Sequence, residues 1–158
     1  MLRALVLLVA LLLGAAPAVA EAPAPFDGVV VRVVDGDTVH VRLGNRVEKM
    51  RYIGVNTPEI HHPRKGEEPG GTEAHAVNRR LIEGKRVRLE LDVQSRDRYG
   101  RLLAYVWVGQ TMINAELVRL GYAQVMTVPP NVRHQTLFLK LQRDAREAGR
   151  GLWAPPAI

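Results

Sequence analysis

The sequence predicts an α+β fold, a five-stranded β-barrel carrying three α-helices. Three observations predict it. β-branched runs alternate with period two in the first part of the chain, and apolar stripes at helical spacing appear in three later segments. The order is three strands, a helix, two strands, then two helices.

The first strand is read in "GVVVRVV" (28–34) and the second in "TVHVRL" (38–43), where Val39, Val41 and Leu43 share one face and His40 and Arg42 the other. Asp35-Gly36-Asp37 forms the hairpin loop between them, with Gly36 expected to supply a positive φ. Gly44 and Asn45 make a second turn into a third strand, "RVEKMRYIGV" (46–55). Then "RVRLELD" (86–92) alternates strictly, and "RLLAYVWV" (101–108) is apolar on both faces, as a central barrel strand is. Between the third and fourth strands, Thr72 is expected to cap a helix whose stripe is Ala74, Val77, Leu81 and Ile82, stopped by Gly84. Asn114 is expected to cap a short second helix ending at Gly121. A third runs from about His134 to Gly149, burying Leu137, Phe138, Leu141, Ala145 and Ala148. Five strands with a helix inserted between the third and fourth describe an OB-fold barrel.

Residues 1–20, "MLRALVLLVALLLGAAPAVA", place one positive charge before an apolar stretch and end in small residues, the layout of an export signal cleaved after Ala20. The expected destination is the periplasm or the exterior. Residues 21–25 read as a flexible leader, 26–154 as one domain and 155–158 as a short tail. The chain carries a net charge of +6, or +5 once Arg3 is removed with the signal. That sign suits a phosphate-rich partner, although a charge of this size also serves solubility. With no cysteine, a disulfide framework and a lipidated-cysteine anchor are excluded, so packing alone must hold the fold.

Four segments carry polar residues to loops that one end of such a barrel could gather: "DGDT" (35–38), "MRYIGVNTPE" (50–59), "HHPRKG" (61–66) and "DRYGR" (97–101). Singly, each has an ordinary structural reading. Asp-Gly beside valines is a turn signal, "NTPE" fits a proline turn, and Arg101 fits a surface arginine. Val47, Arg51 and Ile53 share one strand parity, so Arg51 is expected to point where apolar neighbours point, and a buried guanidinium needs an anionic partner. His61 and His62 without a third spaced ligand make a poor zinc signature; "HHPRKG" reads as a mobile basic loop.

Taken together, the order and spacing of these motifs, with "INAELVRLGYA" (113–123), "PPN" (129–131) and "GLW" (151–153), resemble the thermonuclease family, the staphylococcal nuclease-like proteins, from about Phe26 to Trp153. The resemblance implies an OB barrel with three helices and calcium-dependent hydrolysis of DNA and RNA to 3′-phosphate ends by a monomer. It implies that Asp37, the residue at position 56 and the carbonyl of Thr57 hold Ca2+, whose shell water and a phosphate oxygen would complete. It assigns Glu59 as general base, and Arg51 and Arg101 as clamps on the phosphoryl oxygens. Asp35 then supports the loop rather than the metal.

The sequence departs from that family at two places. Position 56 is Asn56, an amide that can ligate calcium but brings no charge, so weaker affinity is expected. "VMTVPPN" (125–131) lacks the family's two tyrosines near the nucleotide, so base stacking there is expected to be reduced. Tyr99 fits either packing against a nucleotide or covering the barrel end. Arg64, Lys65 and Arg98 are candidates for contacts with the polynucleotide backbone. These departures also leave an alternative, a noncatalytic nucleic-acid-binding module on the same scaffold.

Overall fold

The computed structural model describes residues 23–156. The export segment expected at residues 1–20 lies outside them, as do Glu21, Ala22 and the last two residues. The elements are β1 (Phe26–Val33), β2 (Thr38–Leu43), β3 (Arg46–Tyr52), β4 (Val55–Asn56), α1 (Gly71–Ile82), β5 (Arg86–Glu90), β6 (Leu102–Val108), β7 (Thr111–Met112), α2 (Ile113–Arg119), β8 (Gln124–Val125) and α3 (Gln135–Glu147), ending in a 3-10 turn (Gly151–Trp153). Among the described residues no helix is long and apolar enough to cross a membrane.

Strands pair in the order β3-β2-β1-β5-β6, and the sheet closes because β3 also pairs with β6. That closing pairing is parallel, matching Met50 with Leu102, Arg51 with Leu103 and Tyr52 with Ala104. The result is the five-stranded OB barrel with three helices. Alternation turns Val30, Val39, Val41, Met50, Leu89 and Val106 inward, where none is exposed. Each such side chain contributes about 1.5–3 kcal/mol by leaving water. α2 adds Ile113 and Leu117 to this core, and α3 adds Phe138.

Several expectations give way to tertiary packing. Gly36 does not have a positive φ; a Cβ there would lie 2.5 Å from Oγ1 of Thr57, so the glycine is needed for close approach. The third strand ends at Tyr52, and Val55–Asn56 pairs instead with Gln124–Val125. The turn between uses Gly54 at φ 79°, whose hydrogen faces the Phe138 ring where a Cβ would clash at 2.6 Å. Thr72 does not cap α1. Gly70 holds that position, and the Glu67 carboxylate accepts hydrogen bonds from the Thr72 hydroxyl and amide at 2.5 and 3.3 Å.

Asn114 is likewise inside its helix rather than at its cap, fully buried. Its Oδ1 accepts from the Val106 amide at 2.9 Å, and its Nδ2 donates to the carbonyls of Ile53 and Ala104 at 3.0 and 3.3 Å. On α3, Phe138 and Ala145 are buried, whereas Leu137 and Ala148 are exposed, because the helix lies on the barrel by a narrower stripe than its composition suggests. Finally, the buried parity of β3 is Met50 and Tyr52; Val47 is 56% exposed, so Arg51 lies on the face away from the barrel interior.

Candidate active site

The hairpin loop after β1 is organised by its own acids. Asp35 Oδ1 accepts the Asp37 amide at 3.1 Å, closing the turn, and its carbonyl accepts from Asn78 Nδ2 on α1 at 3.0 Å. The same Asn78, fully buried, accepts from the Tyr52 hydroxyl at 2.9 Å, so one side chain ties α1 to both the loop and β3. Sequence reasoning passed over Asn78; a polar residue within an otherwise apolar helical stripe was the available signal.

Asp37 is buried at the loop's inner edge. Its Oδ1 accepts from the Thr38 hydroxyl at 3.0 Å and its Oδ2 from the Thr57 amide at 2.8 Å. Oδ2 also lies 3.1 Å from Arg51 Nη1. Burial pushes the Asp37 carboxyl up to about 6; Arg51 pulls the other way, the Asp35 charge adds to the rise, and the Thr57 and Thr38 hydrogen bonds oppose it. Desolvation outweighs the adjacent guanidinium.

Arg51, although off the barrel interior, is only partly exposed, because the chain after β3 folds back over it. Nη1 donates to the carbonyls of Val55 and Tyr52 at 2.8 and 3.1 Å, and Nη2 donates to Oδ1 of Asn56 at 3.0 Å. Four residues singled out in the sequence, Asp37, Arg51, Asn56 and Thr57, are therefore joined by direct contacts. Glu59 follows two residues later, within about 7 Å of chain from Thr57. Its backbone is fixed, its amide donating to Glu68 Oε2 at 3.1 Å and its carbonyl accepting the Glu68 amide at 2.8 Å. Its exposed carboxylate has no protein partner among the described residues.

A second assembly forms at "DRYGR". Asp97 Oδ1 accepts the amides of Tyr99 and Arg101, both at 3.0 Å, and Oδ2 accepts from Arg101 Nε at 2.7 Å. Burial raises the Asp97 carboxyl, but the bonds from Arg101 and the loop amides outweigh it and hold it below its ordinary value. Both terminal nitrogens of Arg101 are free of hydrogen-bond partners among the described residues. Tyr99, 68% exposed, stands beside two guanidinium groups, Arg98 at 4.8 Å and Arg101 at 5.4 Å from its ring centre, and so does not cover the barrel end.

Arg51, Arg98, Tyr99 and Arg101 share the wall of one cavity of about 450 Å³, with Leu103, Met126 and Val128 on its apolar side. Met126 and Val128 are exposed large apolar side chains of the segment that carries no aromatic residue, and no signal in the sequence singles them out. Glu59, Arg64 and Lys65 are not on that wall. Arg64 and Lys65 sit in a tight loop, their amides donating to His62 Nδ1 at 3.2 Å, with His62 and Gly66 bridged.

A family model described as staphylococcal nuclease homologue matches residues 49–155, which includes the end of β3, all of β6 and both arginines. The chain belongs to the staphylococcal nuclease family. Its relatives agree. The thermonuclease of Staphylococcus hyicus is 39% identical over 125 residues, 79% of this chain and 74% of the relative. That of Staphylococcus intermedius is 38% identical over 124 residues, 78% and 74% of the two chains. Endonuclease YncB of Bacillus subtilis (strain 168) is 34% identical over 125 residues, 78% of this chain and 59% of its own length. Within this family the OB barrel of the present chain is the expected scaffold, and the arginine-lined cavity lies against the β3–β6 pairing, where Arg51 meets Leu103.

Proposed function

We propose that this member of the staphylococcal nuclease family is an exported, monomeric, calcium-dependent nuclease that hydrolyses phosphodiester bonds of DNA and RNA. The observation that carries the reading is the convergence of Arg51 and Arg101 on one cavity, with the buried Asp37 carboxylate against the first guanidinium. The names of the relatives, thermonuclease and endonuclease, supply the reaction class. Export rests on the layout of residues 1–20.

The donor set fits calcium. Asp37 Oδ2 and Asn56 Oδ1 face one positive centre, the Arg51 guanidinium, at 3.1 and 3.0 Å, and all available donors are oxygens. Among the described residues no group of three His, Cys, Asp or Glu side chains converges, so an ion here would rest on the Asp37 carboxylate with neutral oxygens beside it. Asp37, Asn56 and the Thr57 carbonyl would hold the ion, which when bound polarises a phosphoryl oxygen.

The chain's own residues do the rest. Glu59 orients a water and takes its proton as the water oxygen bonds to phosphorus; the bond to the 5′ oxygen breaks, that oxygen takes a proton from solvent, and a 3′-phosphate remains. Arg101, steered through Nε by Asp97, offers both terminal nitrogens as a fork to the phosphoryl oxygens, where negative charge grows. Arg51 is tethered and acts at fixed distance. Tyr99 and Arg98 flank the nucleotide, and Arg64 and Lys65 meet its backbone further out.

Plasmid DNA incubated with the mature protein and calcium should be degraded, and EGTA should stop it. Glu59→Gln should lower kcat by about 100-fold or more with KM little changed. A variant of full rate requires a different base. One observation favours a noncatalytic binder instead: protein acceptors already claim most of the Arg51 guanidinium. That reading predicts retarded but intact plasmid.

A further inference from the structure

A row of cations on the outer face of β1–β3 has no part in the site above. Arg32 on β1 stands opposite His40 on β2, which stands opposite Lys49 on β3. Directly opposed residues share one sheet face, with Cβ atoms about 5 Å apart. The neighbours that alternate with them, Val39, Val41 and Met50, are fully buried, so the row faces outward. Arg42, two residues beyond His40, extends it along β2.

These cations are unneutralised. Arg32, Arg42 and Lys49 have neither an ion pair nor a side-chain hydrogen bond among the described residues. Elsewhere on the barrel the arginines are matched to acids: Arg46 and Arg96 to Glu48, Arg86 to Asp27, Arg88 and Arg133 to Glu90. Of the acids on β1 and β3, Glu48 is engaged on the opposite parity of β3, and Asp27, which lines a shallow pocket with Arg42 at the far end of the row, is paired with Arg86.

The placement is built into the backbone. Val30 is fully buried, so strict alternation would turn Arg32 inward as well. The register shift between Val30 and Arg32, a β-bulge, turns it outward beside His40. Arg32 and Lys49 flank His40 from the two neighbouring strands, about 10 Å apart across it. Burial first, then the charges of Arg32 and Lys49, hold His40 below the ordinary imidazole value. No acid stands among Arg32, His40 and Lys49 in the strand register. The row also leads to the site: Lys49 and Arg51 are two residues apart on the same face of β3, a spacing of about 7 Å.

We infer that Arg32, Arg42 and Lys49 form a second binding surface for the substrate, taking the phosphate backbone of a polynucleotide at nucleotides beyond the bond being cut. The inference rests on the nuclease reading for what happens at Arg51, but holding a polyanion does not require cleavage. Its function is to retain long strands, so that extended polynucleotides are preferred over short ones.

The test is the triple variant Arg32→Gln, Arg42→Gln, Lys49→Gln, with fold checked by its urea midpoint, which should be unchanged. Binding of a fluorescein-labelled 20-nucleotide oligothymidylate is read by anisotropy in EDTA across a salt series. The variant should bind about tenfold more weakly at low salt, and the slope of log Kd against log salt should fall by about 2, since each lost single-strand phosphate contact removes about 0.7. With calcium, the ratio of kcat/KM for the 20-mer to that for a dinucleotide should fall by about tenfold, in line with the binding loss. Unchanged affinity and slope, or an equal loss on the dinucleotide, overturns the inference. The two readings fail separately. A wild type that binds the 20-mer but cuts nothing sinks the nuclease and spares the row, and one that cuts while the variant binds as tightly sinks only the row. A wild type that neither binds nor cuts sinks both.

Discussion

Residue 56 is an amide, a dipole where an acid would bring a charge. Asn56 Oδ1 accepts from Arg51, so its oxygen faces the same positive centre as Asp37, yet Asp37 alone brings charge there. Asn56→Asp should therefore tighten calcium binding, on the order of tenfold, in titration calorimetry. Unchanged or weaker binding would remove residue 56 from the ligand set. The contact between Asp37 and its neighbourhood was legible only in part. The pairing of "DGDT" with "NTPE" could be read from motif order, but the reason for Gly36 could not. Alternation and turn chemistry report φ preferences, whereas the need for Gly36 comes from a threonine side chain brought over from a different loop. The same holds for Arg51, whose parity was misjudged because Val47 is exposed while the partners that half-bury the arginine come from the chain after the strand.

At the scale of elements, polar side chains inside helices join one unit to the next. Asn114 on α2 binds Val106 of β6 and the carbonyl of Ile53, the residue after β3, so it braces the two strands that close the barrel. Asn114→Ala would leave that amide and carbonyl buried without partners. At about 1–3 kcal/mol each, the loss should be about 2–6 kcal/mol, seen as a lower urea midpoint with unchanged slope. An unshifted midpoint would mean that water or the neighbouring carbonyl takes over. Strands and helices themselves were readable from period and turn residues, because those signals are local. Caps were not: Thr72 and Asn114 are residue types that cap helices, but Glu67 from a loop and a buried strand edge claim them first. The loop "DRYGR" shows the converse, since Asp97 organises it through bonds entirely within five residues.

For the whole molecule, stability should depend on pH through the start of α3. His134 packs edge-on against Tyr105, with ring centres 4.5 Å apart, and faces Glu90, Arg133 and Asp92. Burial, helped by Arg133 and opposed by Glu90 and Asp92, lowers it from its model-compound value of 6.5. A base held neutral in the fold contributes stability that is complete above 6.5 and declines as pH falls and the unfolded chain takes up the proton first. Because the raised Asp37 carboxyl acts in the opposite direction over this range, the check is a difference: the urea midpoint of the wild type relative to His134→Gln should fall between pH 7.5 and 5.5, and a constant difference would assign the dependence to other groups. The OB class and its three helices were legible at this scale because strand order is written in sequence order. The parallel seam between β3 and β6 was not, since it joins segments some fifty residues apart. That seam has a consequence. Arg51 and Arg101 line one cavity only when it zips, so the two guanidinium groups stand fifty residues apart in the unfolded chain and are gathered by the same event that closes the barrel.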